Sequence, residues 1–542
     1  MRANIVDIIK KVTYEAELSI ENSLIKEVRQ LGPENPALTY IMPGFVDAHV
    51  HIESSMLTPA QFARLAVVHG TVATVSDPHE IANVLGVEGV EFMIEDGKRV
   101  PFKFCFGVPS CVPATVFETA GATIDAAQVG ELLAKPEIGY LAEVMNFPGV
   151  LHQDPDMMAK IAWAKHYNKV IDGHAPGLRG EDARKYASHG ITTDHECFTY
   201  DEAREKIGYG VKILIREGSA ARNFAALIPL IAEFPERIMF CSDDKHPDNL
   251  VEGHINILVK RALLAGYDIW NILLAACINP VLHYSLPVGL LKPNDPADFI
   301  VVDNLIDLNV LETWLNGERV AKDQKSLIPD LRSVRPNQFN CQHKTSEDFK
   351  YLTKNDASQV RVVEALEGQL ITNELISSAK YQNDELVADP DNDILKIVVV
   401  NRYQDAKPAV AFIKNFGLKK GAIASSIAHD SHNIIAVGYD DDSIAEAVNL
   451  VISVKGGVSA VGNGERHLLP LPIAGLMSDA DGYEVATSYT RLDRFVKDQL
   501  MSTLQSPYMT LSFMALLVIP SLKLSDKGLF DGKDFKFISL CI

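Results

Sequence analysis

Short apolar runs recur between residues 43 and 290, each followed by a polar or amphipathic stretch. Eight of them read as strands: GFVDAH, TVATVSD, FKFCFG, IGYLAEV, KVIDGH, ITTDH, VKILIR and RIMFCSD. Between them, segments such as PAQFARLAVVHG and PDMMAKIAWAKHYN read as helical connectors. Eight strands alternating with helices predict an α/β fold, a (β/α)8 TIM-like barrel over residues 43–290, in preference to an open sheet. Chemistry in such a barrel sits at the C-terminal ends of the strands.

The pattern changes on both flanks. VTYEAELSIE and LIKEVRQL read as strands that end in the turn-forming GPENP, and the whole of 1–42 is too small for a core of its own. A second strand-rich stretch, DFIVVDNLIDLNVLETWLNGERVA, follows the barrel, with NGE as a hairpin turn. The two are expected to complete one small composite β-sheet domain, 1–42 plus 291–345. Residues 322–358 are polar and mark a linker or irregular edge, with the main boundary near Ser346. Beyond it, ILKIVVVNRY, AVAFIKNF, GAIASSI and NIIAVGY alternate with the helical DDSIAEAVNLVISVKGG, which predicts an α/β or α+β domain over 346–542.

Composition narrows the partners. The 542 residues carry a formal net charge of -20, which disfavours a surface that tracks phosphates and leaves a small ligand as the expected partner, not nucleic acid. The seven cysteines are scattered without a Cys-x-x-Cys pair, as expected for reduced thiols. No signal-peptide core and no apolar run of membrane-spanning length is present, so a soluble, cytoplasmic protein is expected, with no membrane partner.

The strand ends carry the chemistry. His49 and His51 close the first run, and their two-residue offset puts both imidazoles on one side of a strand. Alone, His-x-His is a weak signal. The same predicted rim also receives Glu143, His174, His195 and Asp243. Six nitrogen and oxygen donors of this kind suit two divalent ions, zinc, manganese or iron(II), with Glu143 able to bridge. Asp244 rivals Asp243, and the metal-facing role goes to Asp243 because it directly follows the apolar run. Asp243 is also placed to take and return the proton of an attacking water.

These residues resemble the bacterial adenine deaminase family of the amidohydrolase superfamily, through PGFVDAHVHIESSM, HAPGL (174–178), TTDHE, REGS (216–219) and SDDKHPD. The resemblance extends to FGLKKGAIASSIAHDSHNIIAVG and LPLPIAGLMSD in the C-terminal part, so it covers almost the whole chain. It implies a binuclear manganese or iron centre held by His49, His51, Glu143, His174, His195 and Asp243. It also implies hydrolysis of free adenine to hypoxanthine and ammonia, a role in purine salvage, and a homodimer.

The implied mechanism asks for a second acid to protonate the purine ring, with Glu196, Glu217 and His79 as candidates. Arg216 and Ser219 are candidates for binding the purine nitrogens, against a salt-bridge role for the arginine. His429, Asp430 and His432 are candidates for a lid or substrate-side loop, against a capping role. Two rivals stand beside this reading: hydrolysis of a cyclic amide or ureide, and a non-catalytic scaffold. The His-x-Glu and Pro-Cys-x-x-Cys signature of deaminases that act on flipped bases is absent.

Overall fold

The computed structural model describes residues 1–353 and 357–542; residues 354–356, inside the polar connector and the predicted C-terminal domain, lie outside the described residues. The eight predicted runs each contain a parallel strand. We number these β1 (Phe45–Val50), β2 (Thr71–Ser76), β3 (Lys103–Val108), β4 (Ile138–Val144), β5 (Val170–Gly173), β6 (Thr193–Asp194), β7 (Lys212–Arg216) and β8 (Ile238–Cys241). β1 to β5 form one parallel sheet and β6 to β8 another.

Backbone bonds close both seams into a barrel. Thr192 N donates to Ile171 O at 3.0 Å, and across the other seam Asp243 N donates to His49 O at 2.9 Å while His51 N donates to Asp243 O at 3.3 Å. β1 and β2 are buried at every position, as expected where helices cover one face and the barrel interior the other.

The composite sheet has eight strands. Its order runs from Lys325–Ser326 through Glu318–Lys322, Val310–Leu315 and Phe299–Val302 to Tyr40–Met42, Arg2–Asp7, Val12–Glu21 and Leu24–Pro33. The join is the antiparallel pairing of Phe299–Val302 with Tyr40–Met42, so chain from both ends of the barrel shares one sheet. Asn316 and Gly317, with φ of 50° and 78°, make the two-residue turn that the NGE motif predicts.

The C-terminal part centres on an eight-stranded sheet, in the order Thr372–Ser378, Gln359–Ala365, Ala409–Lys414, Ile394–Val400, Ile434–Gly438, Ala422–Ser425, Gly457–Gly462 and Glu465–Pro470. Only the pairing of Gln359–Ala365 with Ala409–Lys414 is parallel, which makes this part α+β. Ile394–Val400 is buried throughout because both faces of the sheet are covered. Val398 and Ala436 pack beneath the helix Asp441–Ser453. Ile397 and Val399, on the other face, belong to the same apolar cluster as Val50, Met56 and Val75 of the barrel. Full burial of each Val or Ile contributes about 1.5–3 kcal/mol, so this shared core fastens the sheet onto the barrel mouth.

The polar connector is pinned to both sides. Ser333 Oγ donates to Asp96 Oδ2 at 2.5 Å on the barrel, and Arg335 pairs with Asp479 at 3.1 Å on the C-terminal part. Among the described residues no disulfide joins any of the seven cysteines. Among the described residues, no helix is long and apolar enough to cross a membrane.

Candidate metal centre and substrate cavity

The strand ends bring the six predicted donors together. His49 lies in β1 and His51 directly follows it, with their Nε2 atoms 3.2 Å apart. Asp243 Oδ1 lies 3.1 Å from His51 Nε2 and 3.6 Å from His49 Nε2. Glu143 of β4 faces both halves of the cluster: Oε1 is 3.4 Å from His51 Nε2, while Oε2 is 2.7 Å from His174 Nδ1 and 3.2 Å from His195 Nε2. The rings of His49 and His195 stack at 4.1 Å.

These donors are buried, and burial tests whether they suit a metal. Crowding this many imidazoles and carboxylates together away from water is unfavourable unless charge and lone pairs find a common partner. His49 Nδ1 and His174 Nε2 lack any hydrogen-bond partner among the described residues. Ligand atoms of His49, His195 and Asp243, and of Glu143, His174 and His195, fall in compact groups within 4.8 Å. The nitrogen and oxygen donor set fits divalent ions; His195 is common to these two groups, and Glu143 also falls within 4.8 Å of ligand atoms of His51, Asp77 and His79.

Neighbouring charge separates the two adjacent acids. Burial works against ionisation of Asp243, but the Arg216 guanidinium and hydrogen bonds from His49 and His51 outweigh it and hold the carboxyl well below its usual range. Burial and the charge of Asp243 push Asp244 the other way. Asp244 Oδ1 accepts from Ser54 Oγ at 2.5 Å, and its carboxylate also lines the cavity within 4.8 Å of His51 and Asp243.

The remaining candidates divide by position. Glu196 and His79 line the cavity above the donors. Arg216, fully buried at the end of β7, binds Glu196 and donates to Asp243 Oδ2 at 2.5 Å, so its fork is occupied by carboxylates. Glu217, one residue on, points elsewhere and pairs with Arg261 at 2.6 Å beside Phe224, outside this cavity. Ser219 also lies outside it: its hydroxyl donates to Asn249 Oδ1 at 2.7 Å and accepts from His246 N at 2.8 Å, which fixes the loop after β7. For Glu217, which directly follows Arg216 at the end of β7, strand alternation explains the outcome, since adjacent residues face opposite ways.

Sequence reading passed over Asp77 and Glu80. Asp77 directly follows β2; its carbonyl meets His51 Nδ1 at 3.1 Å and its carboxylate meets His79 Nδ1 at 3.1 Å. That strand-end position was the available signal. Glu80 binds both His429 Nδ1 and His432 Nε2, the latter at 2.5 Å, and so ties the AHDSHN loop to the barrel. No local pattern announces a contact 349 residues apart in sequence.

The donors open onto one cavity. Barrel donors form its floor, and Leu370, His429, Asp430, Phe513, Leu516 and Val518 form the facing wall.

Comparison with known proteins agrees with this architecture. The amidohydrolase family profile matches residues 40–322, and the adenine deaminase C-terminal domain profile matches residues 369–536. An adenine deaminase from Sulfurovum sp. (strain NBC37-1) is 56% identical over 541 residues, covering 100% of this chain and 99% of the relative. Adenine deaminases from Methanosarcina mazei and Salinibacter ruber are 54% and 53% identical, covering 99% and 98% of this chain and 98% and 97% of theirs. The chain belongs to the adenine deaminase family of the amidohydrolases.

Proposed function

We propose that this chain hydrolyses adenine to hypoxanthine and ammonia, in purine salvage. The carrying observation is the set of six buried donors at one barrel rim, faced by a wall from the part of the chain that matches the adenine deaminase C-terminal domain. In this reading His49, His51, Glu143, His174, His195 and Asp243 hold two divalent ions, manganese or iron(II), with zinc as a lesser alternative. When bound, the ions supply an activated water near neutral pH.

The protein groups do the rest. Water adds to C6 as Asp243, held ionised by Arg216, accepts its proton. A ring nitrogen is protonated from Glu196 or His79, both at the cavity wall; the C6–N6 bond breaks as ammonia leaves with the proton returned by Asp243, and the C6 hydroxyl proton passes back to the acid as the carbonyl forms. Glu217 and Ser219 drop out of the mechanism, because both lie outside the cavity.

The same reading takes residues 1–42 with 291–345, 43–290 and 346–542 as three structural units, which the sheet orders support. It also takes the protein as a cytoplasmic homodimer. Ammonia release and the adenine-to-hypoxanthine absorbance change, recorded beside a His49→Ala variant, test the activity. Loss of turnover in the variant supports it; turnover of hydantoin but not adenine replaces it with cyclic amide hydrolysis.

A further inference from the structure

We propose that Asp430 selects the free purine base by accepting the N–H of the purine's five-membered ring. This rests on the adenine reading above and adds the group that discriminates the base from its N-substituted forms.

The two sides of the cavity have different origins. All six proposed metal ligands come from the barrel, whereas Leu370, His429, Asp430, Phe513, Leu516 and Val518 lie within residues 369–536. Within that wall the polar groups are His429 and Asp430, each 3% exposed. Asp430 Oδ2 and His429 Nε2 have no hydrogen-bond partner among the described residues. Asp430 Oδ1 lies 3.5 Å from His79 Nε2, and His429 Nε2 lies 4.0 Å from Asp244 Oδ1. A buried carboxylate oxygen without a donor is costly, and it points to a donor that arrives with a ligand.

A purely structural role for Asp430 is already filled by its neighbours. Glu80 anchors His429 and His432, Tyr403 OH donates to Ser431 O at 2.6 Å, and Arg402 donates to His432 O at 3.3 Å. The loop is thus held on both sides of Asp430 while its buried Oδ2 stays without a donor among the described residues. Phe513 stacks on His429 at 4.9 Å and with Leu370 gives the wall an apolar surface suited to a flat ring.

The chemistry of the ligand follows. Adenine carries one N–H on its five-membered ring, at N7 or N9, and a carboxylate oxygen can only accept. Substitution at N9 removes that proton from both tautomers and leaves the acceptor unpaired. Sites built around such a bond reject the analogue lacking it far more strongly than apolar pockets reject a methylene.

The test compares adenine with 9-methyladenine, using the metal-loaded full chain, in the wild type and in Asp430→Ala. Wild-type kcat/KM is expected to favour adenine strongly. In Asp430→Ala the ratio should fall by about tenfold or more, mainly through a raised KM for adenine, with bound metal unchanged. Asp430→Asn keeps the shape and one acceptor oxygen, so its ratio should fall between the two, and it carries the test if the alanine variant does not fold. An unchanged ratio in a variant that binds two ions, beside a wild type that deaminates adenine, overturns the inference. A wild type that leaves adenine untouched fails the functional reading itself, and the inference with it.

Discussion

The floor and the wall of the cavity are built in different ways. Floor donors sit at or just after strand ends, where the barrel backbone sets their direction: His49 and Asp243 are joined by a backbone bond of 2.9 Å across the β1–β8 seam. Wall residues sit on loops held by tertiary contacts, such as Glu80 to His429 and His432, and Lys523 Nζ to Leu370 O at 2.6 Å and Phe513 O at 2.9 Å. The difference teaches that reaction and selection are separable here. A rigid scaffold holds the reacting groups, and an added domain chooses what reaches them.

The comparison breaks first if the floor is not essential. Glu143→Ala removes the carboxylate that faces both donor groups, and deamination should fall by about 10³-fold or more with bound metal reduced; kcat within tenfold of wild type would contradict the shared-ligand assignment.

Support beneath the floor should matter next. His254 Nε2 donates to Asp47 Oδ2 at 2.7 Å with both groups fully buried, and Asp47 Oδ1 also accepts from Ser242 N at 3.0 Å across the β1–β8 seam. His254→Leu leaves a buried carboxylate short of a partner and is expected to cost about 3 kcal/mol, read as a lower denaturant midpoint.

On the wall, burial pushes the Lys523 ammonium down to about 7, against about 10.4 in the unfolded chain. Between these values the unfolded state binds more protons, so this group adds stability as pH rises through the window and withdraws it as pH falls toward 7. Lys523→Met should flatten the rise in Tm between pH 7 and 10; curves parallel to wild type would show that Lys523 does not titrate there. The smallest effect belongs to Glu217→Gln, which should change kcat/KM by less than about twofold, since Glu217 pairs with Arg261 outside the cavity.

What was legible in the sequence follows the same divide. Each barrel strand was readable as an apolar run because parallel strands are buried on both faces, and the donors stood out because each lies at or just after the end of its run. The rule has limits at single residues. Glu217 follows β7 as closely as the other candidates follow their strands, yet alternation turns it outward. Asp243 and Asp244 are indistinguishable by spacing, and their surroundings separate them: Asp243 takes a left-handed φ of 54° beside the histidines, while Asp244 meets Ser54. Asp430 and Glu80 gain their meaning only when segments about 350 residues apart meet, and no local periodicity encodes that.

The central claim is that barrel donors hold a two-metal hydrolytic site acting on adenine. It is tested most directly by titrating metal-stripped protein with manganese while following ammonia release from adenine. The account predicts that activity rises until two ions are bound per chain and then levels off, with His49→Ala inactive throughout. Bound metal at any loading without turnover of adenine, or full activity with no metal bound, would contradict it.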